Sequence, residues 1–162
     1  DKGYIHSWDE LEWIDGAREA VARLTEDGWL LFVATNQSGV ARGYYTESDV
    51  QLLHEQMNSS FRELGGNITK FFYCPHLPGA PVKKYDVVCD CRKPAPGMII
   101  RAINEYNLPK DQVFLFGDSD RDIKAAEAAG IKGFLFDGTN LKDFVYQKLA
   151  GLGYRDNGKE DI

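Results

Sequence analysis

All three cysteines of the chain, Cys74, Cys89 and Cys91, fall within one short stretch that also carries His76. The spacing is C-x-H, then a loop containing Pro78, Gly79 and Pro81, then C-x-C. Three thiolates and an imidazole make a set that tetrahedral zinc takes readily. Four protein ligands leave no open position for water, so such a site is structural rather than catalytic. Buried free cysteines and a redox pair are the alternatives. C-x-C is not the C-x-x-C redox spacing, and an odd number of cysteines cannot be fully paired in one chain. The residues favour a zinc clip over a disulfide staple.

Arg92-Lys93-Pro94 follows the clip directly. Most lysines are solvated surface residues, but one set between a metal clip and a proline, just before a helix, is held in place. Its ammonium is a point charge suited to phosphate, and the Arg92 guanidinium can fork onto a second anionic group or a sugar oxygen. Earlier, Thr35-Asn36-Gln37-Ser38 offers two hydroxyls and a turn whose N–H groups form an anion nest. Asn and Ser also fill turns for purely local reasons. In "GDSDRD", Asp118, Asp120 and Asp122 serve either as helix N-caps or as oxygen ligands for a hard cation such as magnesium. Beside Thr35 and Lys93, the functional alternative is the stronger one.

These groups need elements to hold them. Asp15 to Gly28 has helical spacing, with Ala17, Val21 and Leu24 on one face. "WLLFVATN" (29–36) is an apolar run too short for a helix and is expected to be a buried parallel strand. Thr46, followed three residues later by Asp49, predicts a capped helix running towards Leu64. "ITKFFYC" (68–74) is the next strand and "GMIIRAINEYN" (97–107) a helix. Val113 to Asp118 is a further strand, "DIKAAEAAG" (122–130) a short helix, "KGFLFDG" (132–138) a strand, and Asn140 to Leu149 a helix. The last residues, from Tyr154, read as a solvated end. Alternating strands and helices predict an α/β fold with a parallel sheet. Both polar clusters then fall at the carboxyl ends of strands, where such sheets bind ligands.

With 162 residues, 43% hydrophobic and 12% aromatic, the chain is expected to form a single globular domain, 1–162, with 74–91 as a loop within it. A net charge of -6 argues against a broad nucleic-acid-binding face. No apolar run has the length of a membrane span and no signal peptide is visible. A reducing cytoplasm and a monomer are expected.

Thr35, Lys93 and Gly117-Asp118-x-x-x-Asp122 match in order the second, third and fourth motifs of the haloacid dehalogenase phosphohydrolase superfamily, which the chain resembles. "DKGYIH", "TNQSGVARG", "CPH" and "CDCRKPAPGM" are similar to the heptose-1,7-bisphosphate 7-phosphatase branch of it. The resemblance implies a Rossmann-like three-layer sandwich with a mostly parallel sheet, no large cap domain and a zinc-stabilised loop. Histidinol-phosphate phosphatases share the clip and "RKP", but typically lack the continuation seen here from Ser38 to Gly43. The family's first motif, D-x-D-G-T, supplies an aspartate nucleophile and an acid–base aspartate, and would lie just before "DKGYIH". It does not occur among the 162 residues, and Asp118-Ser119-Asp120 lacks its Gly-Thr. The chain therefore reads as the body of such an enzyme with its first, central strand outside it. Taken literally, it is a phosphate-binding module without a nucleophile.

The resemblance further implies magnesium-dependent hydrolysis of a phosphomonoester through a phosphoaspartyl intermediate, the substrate being the 7-phosphate of D-glycero-D-manno-heptose 1,7-bisphosphate. Thr35, Lys93 and Asp118 would be catalytic. Asp118 would hold magnesium with Asp122 in support, and Cys74, His76, Cys89 and Cys91 would hold zinc. Asp1, Lys2, Gly3, Tyr4, Thr35, Asn36, Gln37, Ser38, Arg92, Lys93 and Ser119 would surround the sugar phosphate. The partner implied is this small molecule, with neither nucleic acid nor membrane.

Overall fold

The computed structural model describes residues 13–155. In chain order they form α1 (Ala17–Glu26), β1 (Phe32–Asn36), α2 (Glu47–Glu63), β2 (Lys70–Cys74), α3 (Gly97–Tyr106), β3 (Phe114–Gly117), α4 (Asp120–Ala129), β4 (Lys132–Leu135) and α5 (Leu141–Gly151). Single 3-10 turns sit at Lys83–Tyr85 and Lys110–Gln112. The strands run parallel in two pairs. Phe32 to Asn36 of β1 face Lys70 to Cys74 of β2, and Phe114 to Gly117 of β3 face Lys132 to Leu135 of β4. Among the described residues no ladder joins one pair to the other, and these residues include no cap domain. None of their helices is long and apolar enough to cross a membrane.

Alternation along the strands puts a helical layer on each face. Phe71 and Tyr73 of β2 point one way, where His54 of α2 stacks on Phe71 at 4.4 Å and Val50 packs with Tyr73. Phe72 and Cys74 point the other way, onto Met98 and Ala102 of α3. In β3 the same rule sends Leu115 into the core made by Ile99 and Ile103 of α3 with Ala125, Ala126 and Ala129 of α4. Phe114 and Phe116 turn to the opposite side, against Tyr154 and Phe144. Period-two side-chain direction thus generates three layers. The α/β architecture is the expected one.

Element ends are set by caps. Thr46 and Asp49 exchange the two hydrogen bonds of a capping box at the start of α2, at 3.1 and 2.9 Å. The first strand is shorter than the apolar run from Trp29 suggests. Gly28 takes a left-handed φ of 94°, and Trp29 N–H returns to Leu24 O at 3.0 Å. Trp29 is therefore used in leaving α1, and its ring packs on Phe114 and Tyr154. The ladder opens only at Phe32.

His54 is 7% exposed, and burial pushes its pKa down from 6.5 to about 4. The folded state resists the proton that the unfolded chain accepts, so this contribution is complete above pH 6.5 and is lost as pH falls towards 4. Between pH 7 and pH 5 the loss attributable to His54 amounts to about 2 kcal/mol. Urea unfolding at the two pH values should show it, and His54→Leu should remove that part. An equal acid-induced loss in the variant would contradict the assignment.

Candidate active site and metal clip

Thr35 and Asn36 end β1, while Asp118 follows directly on the last residue of β3. The group between them is Lys93. Its Nζ donates to Ala34 O of β1 at 2.8 Å and to Asp122 Oδ1 of α4 at 2.5 Å. The two side chains are 13% and 8% exposed. The other Asp122 oxygen accepts from the N–H of Asp118 at 3.1 Å, the N–H of Ser119 at 3.2 Å and the Ser119 hydroxyl at 3.1 Å. Burial alone would raise the Asp122 pKa. The hydrogen bond and charge of Lys93, followed by the Ser119 donors, outweigh burial and hold it below the usual carboxylate value. Asp122 is thus a buried anion that shapes the turn carrying Asp118. The Asp118 carboxylate itself has no hydrogen-bond partner among the described residues. It lines an open cleft of about 510 Å³ together with Asp15, Phe136 and Asp137.

The turn after β1 divides its labour. Gln37 Nε2 donates to Thr35 Oγ1 at 3.2 Å, and Tyr45 OH donates to Gln37 Oε1 at 2.6 Å. Thr35 therefore accepts from Gln37, and among the described residues its own proton has only the Asn36 carbonyl at 3.4 Å. That contact is too long to compete with a charged acceptor. Asn36 Oδ1 accepts from Lys93 N–H at 2.9 Å and Asn36 Nδ2 donates to Lys93 O at 3.1 Å. Ser38 is buried at 8% exposure.

The resemblance implies that Asn36, Gln37 and Ser119 surround the substrate, and in the structure each of these side chains has a protein partner, Ser119 as the N-cap of α4. Arg92 differs, since its Nη1 is buried with no partner among the described residues. Asp1, Lys2, Gly3 and Tyr4 lie outside the described residues. Tyr45, which no motif singles out, holds Gln37. Gly39 leaves room for its ring, since a Cβ there would fall on it.

The cysteine cluster forms as its spacing suggests. The ligand atoms of Cys74, His76, Cys89 and Cys91 all lie within 4.8 Å of one another. Cys89 Sγ is 3.5 Å from Cys74 Sγ and 3.4 Å from Cys91 Sγ. His76 Nδ1 is 3.6 Å and 3.4 Å from the same two sulfurs. A tetrahedron with Zn–S bonds of about 2.3 Å has edges of roughly 3.7 Å, close to these four separations. Cys74 and Cys91 are joined as a disulfide, with Cys89 a free thiol, where the sequence set a disulfide aside. Convergence of the thiol and imidazole on that pair is what a four-ligand site requires and a disulfide does not. In its reduced form the cluster fits a closed tetrahedral ion.

The clip is anchored at both ends. Gly97 N–H, at the start of α3, donates to Asp90 O between the two cysteines at 2.7 Å. A side chain at Gly97 would collide with that carbonyl. At the far end Glu47 accepts from Tyr85 OH at 2.6 Å and Tyr73 OH at 2.8 Å. The Tyr85 bond is the main reason that Glu47 sits below its ordinary pKa. The same bond pushes Tyr85 up to about 12.

Two parallel strand pairs whose ends bring together a hydroxyl, a loop lysine and a carboxylate pair define the class, that of haloacid dehalogenase-like hydrolases. Residues 90–141 match the HAD-hydrolase-like family model. A D-glycero-beta-D-manno-heptose-1,7-bisphosphate 7-phosphatase of Rhodopseudomonas palustris is 39% identical over 149 residues, covering 92% of this chain and 83% of that one. The protein of that name from Yersinia pestis is 37% identical over 161 residues, covering 94% and 86%. The crystal structure of D,D-heptose 1,7-bisphosphate phosphatase from B. bronchiseptica, complexed with magnesium and phosphate, superposes with a TM-score of 0.79 at 31% identity, over 93% of this chain and 91% of that one. The chain belongs to the D-glycero-β-D-manno-heptose-1,7-bisphosphate 7-phosphatase family.

Gly117 lies so close to Asp122 that an added Cβ would strike the Asp122 side chain. Gly117→Ala should therefore displace Asp122 from Lys93 and from the Asp118 turn. Overpacking of this kind costs about 2 kcal/mol, to be read as a lower urea midpoint. An unchanged midpoint would contradict the tight packing.

Proposed function

We propose that the protein hydrolyses the 7-phosphate of D-glycero-D-manno-heptose 1,7-bisphosphate through a phosphoaspartyl intermediate. The observation that carries the reading is the placement of Lys93, fixed between Ala34 O and Asp122, and so between the strand end that carries Thr35 and the turn that carries Asp118, whose carboxylate has no hydrogen-bond partner among the described residues. The nucleophile belongs to a D-x-D-G-T strand that is not among these 162 residues. A strand lying between β1 and β3 would join the two pairs into one parallel sheet and deliver its carboxylate to this site.

That carboxylate attacks phosphorus in line. The phosphorus–oxygen bond to the sugar breaks, and the motif's second aspartate protonates the departing alcohol. Water then cleaves the acyl phosphate and releases inorganic phosphate. Two anions must approach in the first step. Lys93 offsets their repulsion and Thr35 donates to a non-bridging oxygen, both held in place before the reaction. Asp118 would hold magnesium, with Asp122 aligning its turn; when bound, that ion supplies a Lewis acid for the phosphoryl oxygens. Cys74, His76, Cys89 and Cys91 would hold zinc, which fixes the loop leading to Arg92 and Lys93. The unsatisfied Nη1 of Arg92 suits the distal phosphate or a sugar hydroxyl.

The protein expressed from its native reading frame, assayed with the heptose bisphosphate and with histidinol phosphate, tests this directly. Preference for the first is expected. Preference for histidinol phosphate would reassign the substrate, and phosphate binding without turnover would mark a non-catalytic module. Arg92→Ala should raise KM for the bisphosphate about 10-fold or more, as loss of a charge-assisted hydrogen bond implies, with a smaller change for an aryl phosphate. Equal losses on both would contradict a selectivity role. Metal analysis of reduced protein should find one zinc per chain, and its verified removal should lower activity; full activity without zinc would count against the clip.

A further inference from the structure

We infer that Asn36 is a positioning residue for Lys93 rather than a substrate contact. This rests on the phosphatase reading above and adds to it how the lysine is aimed. The Asn36 side chain meets both polar groups of one residue 57 positions away, accepting from Lys93 N–H and donating to Lys93 O. Those partners have fixed polarity, so the amide has one orientation and both of its ends are committed. Two residues earlier on the same strand, Ala34 O accepts from Lys93 Nζ at 2.8 Å. Strand β1 therefore grips Lys93 twice, at its peptide through Asn36 and at its ammonium through Ala34.

The grip sits where the other parts of the site join. Asn36 follows Thr35 in sequence, and across the ladder it faces Cys74, the first residue of the clip. The Asn36 amide thus helps to set the distance between the Thr35 hydroxyl and the Lys93 ammonium, which must both reach one phosphoryl group. Without it the Lys93 backbone would be tied only through the clip and α3. A shift of about 1 Å in a positioned group is enough to cost around 100-fold in rate.

The test is a double-substitution cycle in the protein expressed from its native reading frame, using Asn36→Ala, Lys93→Ala and both together. Two readouts are needed: kcat for the bisphosphate, and affinity for inorganic phosphate by calorimetry with magnesium present. Asn36→Ala alone should lower kcat 10- to 100-fold, with KM changed less than threefold, and weaken phosphate binding several-fold. In the Lys93→Ala background the same substitution should change either readout less than twofold, because its route of action is already gone. Asn36→Asp keeps an acceptor for Lys93 N–H but turns the donor facing Lys93 O into an acceptor. It should follow the alanine variant in both readouts and lower the urea midpoint, because two acceptors then face each other. Effects that multiply in the two backgrounds, or an Asn36→Ala loss confined to KM, would overturn the inference and return Asn36 to the substrate. The phosphate arm remains readable even if no variant, wild type included, turns over substrate, so failure of the proposed function is distinguishable from failure of this inference.

Discussion

The ammonium of Lys93 is the polar contact that links the ends of the two strand pairs. The pairs β1–β2 and β3–β4 share no ladder among the described residues. Lys93 Nζ bonds a backbone carbonyl of the first pair and, through Asp122, the turn that leaves the second. Both partners are largely removed from water, and breaking such a pair by deleting one side costs roughly 3–5 kcal/mol, because the survivor is left as an uncompensated charge. This contact keeps Asp122 anionic against its burial, and its second oxygen gathers three donors that fold the Asp118 turn. An ion pair between two strand ends thereby organises both a hydroxyl site and a carboxylate site.

Such a pair needs Lys93 delivered from a fixed direction, and the segment that delivers it has little regular structure. Pro78, Gly79 and Pro81 make the loop before it unable to form a helix or ladder of its own. Its order comes from the four converging cysteine and histidine ligands, from the Asp90–Gly97 bond at one end and from the Glu47 clasp on Tyr85 at the other. The chemistry of phosphate binding is thus separated from the means of holding the loop. The cluster's donors are soft, while the Asp118 carboxylate, a hard donor, follows a strand of the other pair.

Much of this was legible in the residues. C-x-H with C-x-C is readable because metal ligation depends on side-chain chemistry and short spacings, both of which survive in one dimension. The strands were found from apolar runs, and the helices from 3.6-residue spacing and the Thr46–Asp49 box. What escaped depends on partners remote in sequence. Asn36, Gln37 and Ser119 look like substrate ligands because their amides and hydroxyl follow strands. The protein partners of those side chains, Lys93, Thr35 with Tyr45, and Asp122, are known only once the chain is folded. Trp29 was read into β1 on hydrophobicity, whereas the left-handed Gly28 diverts it to the helix exit.

The reading as a whole turns on which phosphate leaves. Phosphorus NMR of D-glycero-D-manno-heptose 1,7-bisphosphate incubated with the magnesium-loaded protein from the native reading frame follows both esters at once. Loss of the 7-phosphate signal, with inorganic phosphate appearing and the anomeric phosphate retained, is the predicted result. Loss of the anomeric phosphate first, or two unchanged ester signals, would contradict it.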